Sequence, residues 1–260
     1  MATSKVPPGN DTRWTVAKRA IHAITAKYQA GIRIGLVLWP GTNKACSGYT
    51  ECQGIDPAVQ LAVDTGPAID SYLGGASTCM LGTPIAGTLT ALDGFAGLAD
   101  ATRPEYVAFV TDGQQNNCSG DDVMAAMGLR KHMPEVKTFV IGFGGDVDGA
   151  NLAAIAQAGG TARPSPPLYY QADDEATLLT AFDHIAGSIS ACTYTLDQPP
   201  ENPDRLFVYL GSAQIARDTT HTTGWDYDAA TQRLSFYGSS CDQIRAGGAL
   251  AVSFGCPIIP

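Results

Sequence analysis

The sequence has no apolar run near the roughly 18 residues that a membrane-crossing helix needs. Its opening, MATSKVPPGNDTRW, is polar and proline-bearing and has no signal-peptide core. Positive charge is scarce: 16 Lys and Arg face 25 Asp and Glu, for a net charge of -9. That balance disfavours phosphate backbones and anionic lipid as partners held by simple attraction, and favours cations. Neither a nucleic-acid partner nor a membrane span is expected. A C-x-x-C pair is missing, which removes the usual structural zinc arrangement. Also missing are a G-x-x-x-x-G-K-[ST] phosphate loop and a G-x-S-x-G elbow. The histidines at 22, 132, 184 and 221 are scattered, with no H-x-x-x-H pair, and carry no assigned role.

At 260 residues and 45% hydrophobic content, the chain can bury one sizeable core and a small satellite. The stretch VAFVTDG at 107–113 carries the most information. A β-branched and aromatic run ending in Asp112 and Gly113 reads as a buried strand that delivers one carboxylate to the C-terminal edge of a sheet, where open α/β folds bind ligands. A helical segment opens earlier with Gly82, Thr83 and Pro84, and TFVIGFGG at 138–145 repeats the pattern of strand then glycine loop. Together they suggest a metal site on a scaffold.

Along the chain, Trp14, Ala17, Ile21, Ile24 and Tyr28 recur at helical spacing, then IRIGLVLW at 32–39 reads as a buried strand. A weaker strand around Val59 to Val63, a short helix near 67–73, a helix from Thr83 and the strand ending at Asp112 follow. Asp121 or Asp122 caps the next helix, VKTFVIGF is a strand, and NLAAIAQAGG is a helix closed by glycines. LYYQ at 168–171 is the last strand, and Leu178, Leu179, Phe182, Ile185 and Ile189 line one face of the final helix. This alternation predicts an α/β fold: a doubly wound, mostly parallel sheet flanked by helices over residues 1–191. Residues 192–260 change grammar to paired short strands, a small β-rich appendage. Its Trp225, Tyr227, Phe236 and Tyr237 suit a carbohydrate or peptide surface, though such alternating aromatics more often pack one face of a sheet.

Seven cysteines, at 46, 52, 79, 118, 192, 241 and 256, fit an oxidising compartment. Cys46 with Cys52, and Cys241 with Cys256, bracket local loops and are the pairings expected. Cys79 and Cys118 either pair near the site or stay reduced, and the odd count leaves one thiol over.

With these elements in place, the chain resembles a von Willebrand factor A domain over residues 1–191. GTP at 82–84 and VTDG at 110–113 fall where that family places the second and third parts of its metal-ion-dependent adhesion site. The resemblance implies a six-stranded sheet between helices and a bound Mg2+ or Mn2+. Thr83 would give the hydroxyl and Asp112 the carboxylate, and the partner would be a protein offering an Asp or Glu carboxylate. Magnesium keeps several waters and prefers oxygens from separate loops, so few protein ligands leave it electrophilic toward such a carboxylate. Binding suffices and no catalysis is implied. The resemblance also implies an extracellular, periplasmic or cell-surface location.

The family's first motif, D-x-S-x-S, is missing, and the chain enters its first helix with no strand before it. The expectation is that Met1 is internal to a longer domain whose central strand, first motif and signal peptide lie upstream. Without that strand, two neighbours would lose their shared partner or pair across a gap. Ser4 lies in a polar run with no paired carboxylate and is a poor substitute.

Plainer roles compete. Thr83 and Pro84 are also a standard helix start, with Thr as N-cap and Pro at the first position. Asp112 and Gly113 also form turns. Asp146 and Asp148 in GGDVDGAN mimic a calcium loop only superficially, and Asp148 is expected to cap a helix. Two other functions stay open: a metal-independent interaction scaffold, and a phosphoryl-transfer hydrolase using Asp112, against which the lack of D-x-D-x-T around that residue counts.

Overall fold

The computed structural model describes residues 5–6, 11–39, 55–78, 82–101, 103–115, 118–190, 192–196, 198–245 and 249–255. Met1, Ser4, Cys46, Cys52, Cys79 and Cys256, and the expectations attached to them, lie outside those residues. The chain divides into two compact units, Met1–Ile185 and Ala186–Pro260.

In the first unit, helix α1 (Arg13–Tyr28) starts where Thr12 accepts the Thr15 amide at 3.2 Å. Its buried stripe is Arg13, Val16, Ala17, Ala20 and Thr25. The expected stripe of Trp14, Ile21, Ile24 and Tyr28 is only half-buried, because the helix is turned to bring Arg13 inward. Trp14 reaches the carbonyl of Ala76 with its indole N–H instead.

Strand β1 (Ile34–Leu38) pairs antiparallel with β2 (Asp56–Ala62), and α2 (Gly66–Gly75) and α3 (Ile85–Asp93) follow. Strand β3 (Glu105–Thr111) then leads through α4 (Asp122–Lys131) to β4 (Val136–Phe143), and through α5 (Gly149–Ala158) to β5 (Tyr170–Ala172). Helix α6 (Glu175–Ser190) comes last. Its buried positions are Leu178, Ala181, Ile185 and Ala186, while the expected Leu179 and Phe182 are half-buried.

The α/β alternation read from the sequence is present, with strands β3, β4 and β5 forming a parallel sheet in that order. β1 and β2 form a separate two-stranded sheet. Among the described residues no strand joins the two sheets, and they do not pair with each other. β1 is accordingly half-buried along its length, not buried as its apolar run suggested. Side chains make the connection that backbone does not. Trp39 stacks on Phe109 of β3 with ring centroids 4.8 Å apart, and Val37 and Leu61 pack on a core of Ile85, Leu89, Phe109, Leu129, Val140, Leu152 and Ile155.

Glu105 opens β3 in a buried position. Burial, and then the nearby Asp100, raise its pKa above the ordinary carboxylate value, while Arg33 and Arg103 pull the other way. A carboxyl whose folded pKa lies above its unfolded one gives stability that is complete below the unfolded value and is lost as pH rises through the folded one. Glu105→Gln has no such loss. Its urea midpoint should therefore gain on the wild type as pH rises out of the carboxylate range, and a gap that stays constant with pH would show that Glu105 does not titrate abnormally.

The second unit is built of two three-stranded sheets. In one, β10 (Arg233–Tyr237) lies between β6 (Thr193–Thr195) and β9 (Gly224–Asp228); in the other, β7 (Leu206–Leu210) lies between β8 (Ala213–Ile215) and β11 (Leu250–Phe254). Trp225, Tyr227 and Phe236 are buried with Val208 and Leu234, so these aromatics pack rather than form an exposed recognition surface. Tyr237 is half-buried and stacks on His221. The helix α7 (Gly238–Arg245) was not expected; its eight residues offer only Cys241 and Ile244 as an apolar stripe.

That helix explains a corrected disulfide. Cys241 pairs with Cys192, not with Cys256, because α7 brings it into the same buried cluster as Cys192. Cys118 is also disulfide-bonded, so of the two states left open for it the reduced one is excluded. The Cys192–Cys241 bond closes a separation of 49 residues. Replacing both cysteines by serine should cost about 2–4 kcal/mol, seen as faster hydrogen exchange at the β7 and β10 amides. Unchanged exchange there would show that the strands hold without the bond.

Candidate functional site

The parallel register of β3 and β4 sets Thr111 beside Gly142, so both strands release their loops at the same edge. Asp112 comes directly after β3. The Thr111 hydroxyl donates to the Gly113 carbonyl at 3.2 Å and closes the turn that follows. After β4 the chain runs through Gly144 and Gly145 to Asp146. The expected carboxylate therefore stands where the sequence placed it.

Thr83 is close by, but not as a helix cap. Helix α3 begins at Ile85 with Pro84 as its N-cap and no side-chain capping bond. The Ala86 amide is met instead by the Gln115 side chain at 2.8 Å, while the Gln115 amide nitrogen donates to the Gly120 carbonyl at 3.1 Å. A residue beyond β3 thus secures the start of α3. Thr83 Oγ1 lies against Gly113, 3.8 Å from where a Cβ on that glycine would stand. The structure brings Thr83 and the Asp112 turn together.

Two helices start at the same edge. Asp121 caps α4, accepting the amides of Val123 and Met124, and Asp148 caps α5 as expected, accepting that of Asn151 at 3.0 Å. Asp122 is not the cap. It is buried, accepts the Asn151 side-chain amide at 2.6 Å, and has its pKa raised, chiefly by burial.

Sequence reasoning missed the residue that dominates the edge. Arg13, the first residue of α1, places its guanidinium between two carboxylates. Its Nη2 donates to Asp146 Oδ2 at 2.8 Å; its Nη1 donates to the Asp112 carbonyl at 3.3 Å and stands 3.6 Å from Asp112 Oδ2. The side chain is 11% exposed, against 20% for Asp112 and 72% for Asp146. Gly144 makes the space: its φ is +96°, and a Cβ there would overlap the guanidinium. The available hint was an arginine directly after the cap Thr12, where an acidic residue is the electrostatically favoured choice.

Magnesium asks for about six oxygens in near-octahedral order. Thr83 and Asp112 supply one hydroxyl and one carboxylate, and that carboxylate already faces a guanidinium. Among the described residues no group of three or more His, Cys, Asp or Glu is placed to hold a metal ion. The described residues do not fit a divalent centre while Arg13 stays. The recess of about 190 Å³ lined by Arg103, Glu105, Tyr106, Pro134 and Lys137 is at the other end of β3 and plays no part in this edge.

No protein-family model matches the chain, and no curated sequence matches it. Solved structures do. Proximal thread matrix protein 1 from the mussel byssus aligns at 16% identity over 70% of this chain and 44% of its own, with a TM-score of 0.51. A form of that protein described with a zinc-occupied MIDAS motif aligns at 16% identity over 72% and 45%, with a TM-score of 0.50. The pilus adhesin SpaC of Lactobacillus rhamnosus GG aligns at 13% identity over 90% and 36%, with a TM-score of 0.51. The chain has a von Willebrand factor A fold. It spans less than half the length of these von Willebrand factor A structures, and at such identities the likeness is one of fold.

Gly144→Ala tests the guanidinium cradle. The new Cβ must displace Arg13 and hold a left-handed φ, an expected cost of about 1–3 kcal/mol in urea unfolding. In an Arg13→Gln background the steric part should vanish and a smaller penalty remain; equal penalties in both backgrounds would mean the glycine and the arginine are not coupled.

Proposed function

We propose that the first unit is a protein-binding module of adhesion type whose ligand surface is the C-terminal edge of the β3–β4–β5 sheet. The observation that carries this reading is the convergence there of the Asp112 turn, Thr83, Asp146 and the starts of α4 and α5. Binding needs no reacting group, and among the described residues the edge holds no assembled nucleophile and base. Two of the matched structures are described as a matrix protein of the mussel byssus and a pilus adhesin. Together with the disulfide at Cys192 and Cys241, they support a secreted or cell-surface location. No helix of the described residues is long and apolar enough to cross a membrane.

A cation-dependent form of the same module is the second reading, favoured by the closeness of Thr83 to the Asp112 turn. In it these two residues would hold Mg2+ or Mn2+ with waters, and a partner's Asp or Glu carboxylate would complete the ion's shell. The edge as described supports the metal-independent form better, since Arg13 already neutralises Asp112. A hydrolase using Asp112 would reveal itself as phosphatase activity lost in Asp112→Ala.

The module is tested by capture of extracellular proteins on the immobilised chain. Asp112→Lys should abolish retention of the captured species. Glu135→Lys, at the opposite end of the sheet where Glu135 pairs with Arg130, should leave it intact. Retention unaffected by Asp112→Lys would move the ligand surface elsewhere.

A further inference from the structure

We propose that the guanidinium of Arg13 is this edge's own cation, built into the chain, and that it keeps a divalent ion off Asp112. The inference stands whether or not the edge binds a protein.

Three independent features support it. The guanidinium is held between Asp112 and Asp146, with a hydrogen bond of 2.8 Å on one side and an ion pair of 3.6 Å on the other. A cradle is shaped for it, because Gly144 adopts φ +96° and leaves open the volume that a Cβ would take from the guanidinium. The third feature is a cost that must be offset. Arg13 opens α1, whose first turn has no acidic residue, so the positive end of the helix dipole repels it. Burial also strips its hydration. The carboxylates of Asp112 and Asp146 are what make the position tolerable.

The same arrangement shows why metal and arginine exclude each other. A divalent ion bound to Asp112 would stand beside a buried guanidinium, two like charges in a space of low dielectric. With the guanidinium gone, Asp112 and Asp146 would be left as two carboxylates near the Thr83 loop. That is a donor set which hydrated Mg2+ or Mn2+ accepts when waters fill the remaining positions. Arg13 thus decides between a self-neutralised edge and a metal-binding one.

The experiment is a Mn2+ titration of the full 260-residue chain, following free Mn2+ by electron paramagnetic resonance. Circular dichroism melts confirm that each variant is folded. The wild type should show no saturable uptake at millimolar Mn2+. Arg13→Gln should gain saturable uptake, tighter than any wild-type binding by roughly tenfold or more, the scale on which neighbours of a ligand tune metal affinity. Adding Asp112→Asn to Arg13→Gln should remove the gain. If Arg13→Gln does not fold, Gly144→Ala replaces it, since the added Cβ displaces the guanidinium and leaves both Asp112 and Asp146 in place. Saturable Mn2+ uptake by the wild type that Asp112→Asn abolishes would overturn the proposal. So would a folded Arg13→Gln, or in its place a folded Gly144→Ala, that takes up no more Mn2+ than the wild type.

Discussion

Apolar packing around Phe109 is the constraint on which the first unit depends. The β1–β2 pair and the parallel sheet share no described ladder of backbone hydrogen bonds, so the stacking of Trp39 on Phe109, with Val37 and Leu61 against the α3, α4 and α5 side chains, carries the cohesion between them. Such contacts are close-packed but undirected. Among the described residues, register along β3 is set by β4 on one side only. Whatever geometry the loop edge has is therefore fixed by the β3–β4 pairing and by the helices above it, which is where the Asp112, Asp146 and Asp148 positions come from.

On that frame a few polar contacts do the fine placement. Gln115 secures the start of α3 from the far side of β3, and Asn151 ties α5 to the buried Asp122 of α4. Arg13 reaches across from α1 to the ends of two strands. Each bond joins elements distant in sequence, so separate helices hold one another in place at the edge. A surface made in this way presents side chains from fixed positions, which suits recognition more than chemistry.

Local signals in the sequence were legible and long-range ones were not. The apolar run ending in Asp112 and Gly113 announced a strand and its terminal carboxylate, and Asp121 and Asp148 announced helix starts, because each depends on neighbours a few residues away. Thr83 misled as a cap, since a glutamine further along the chain satisfies the helix instead and Pro84 takes the cap position. The pairing of Arg13 with Asp146 spans 133 residues and leaves no periodic trace. Cys241 pointed to its near neighbour by loop length, whereas α7, too short to show a pattern, turns it toward Cys192. For the sheet, the sequence left two outcomes open, neighbours without a shared partner or pairing across a gap, and among the described residues β1–β2 and β3–β4–β5 stand as separate sheets.

The Cys192–Cys241 bond has a consequence beyond stability. It joins the entrance of the second unit to the helix that follows β10, so all the turns linking β6 to β10 lie within one covalent ring. Proteases attack exposed turns first. A single cut in any of these turns would open the ring without separating it: the two fragments remain one molecule, their strands still paired. In a setting where hydrolytic enzymes are abundant, the second unit can be nicked and still keep its shape.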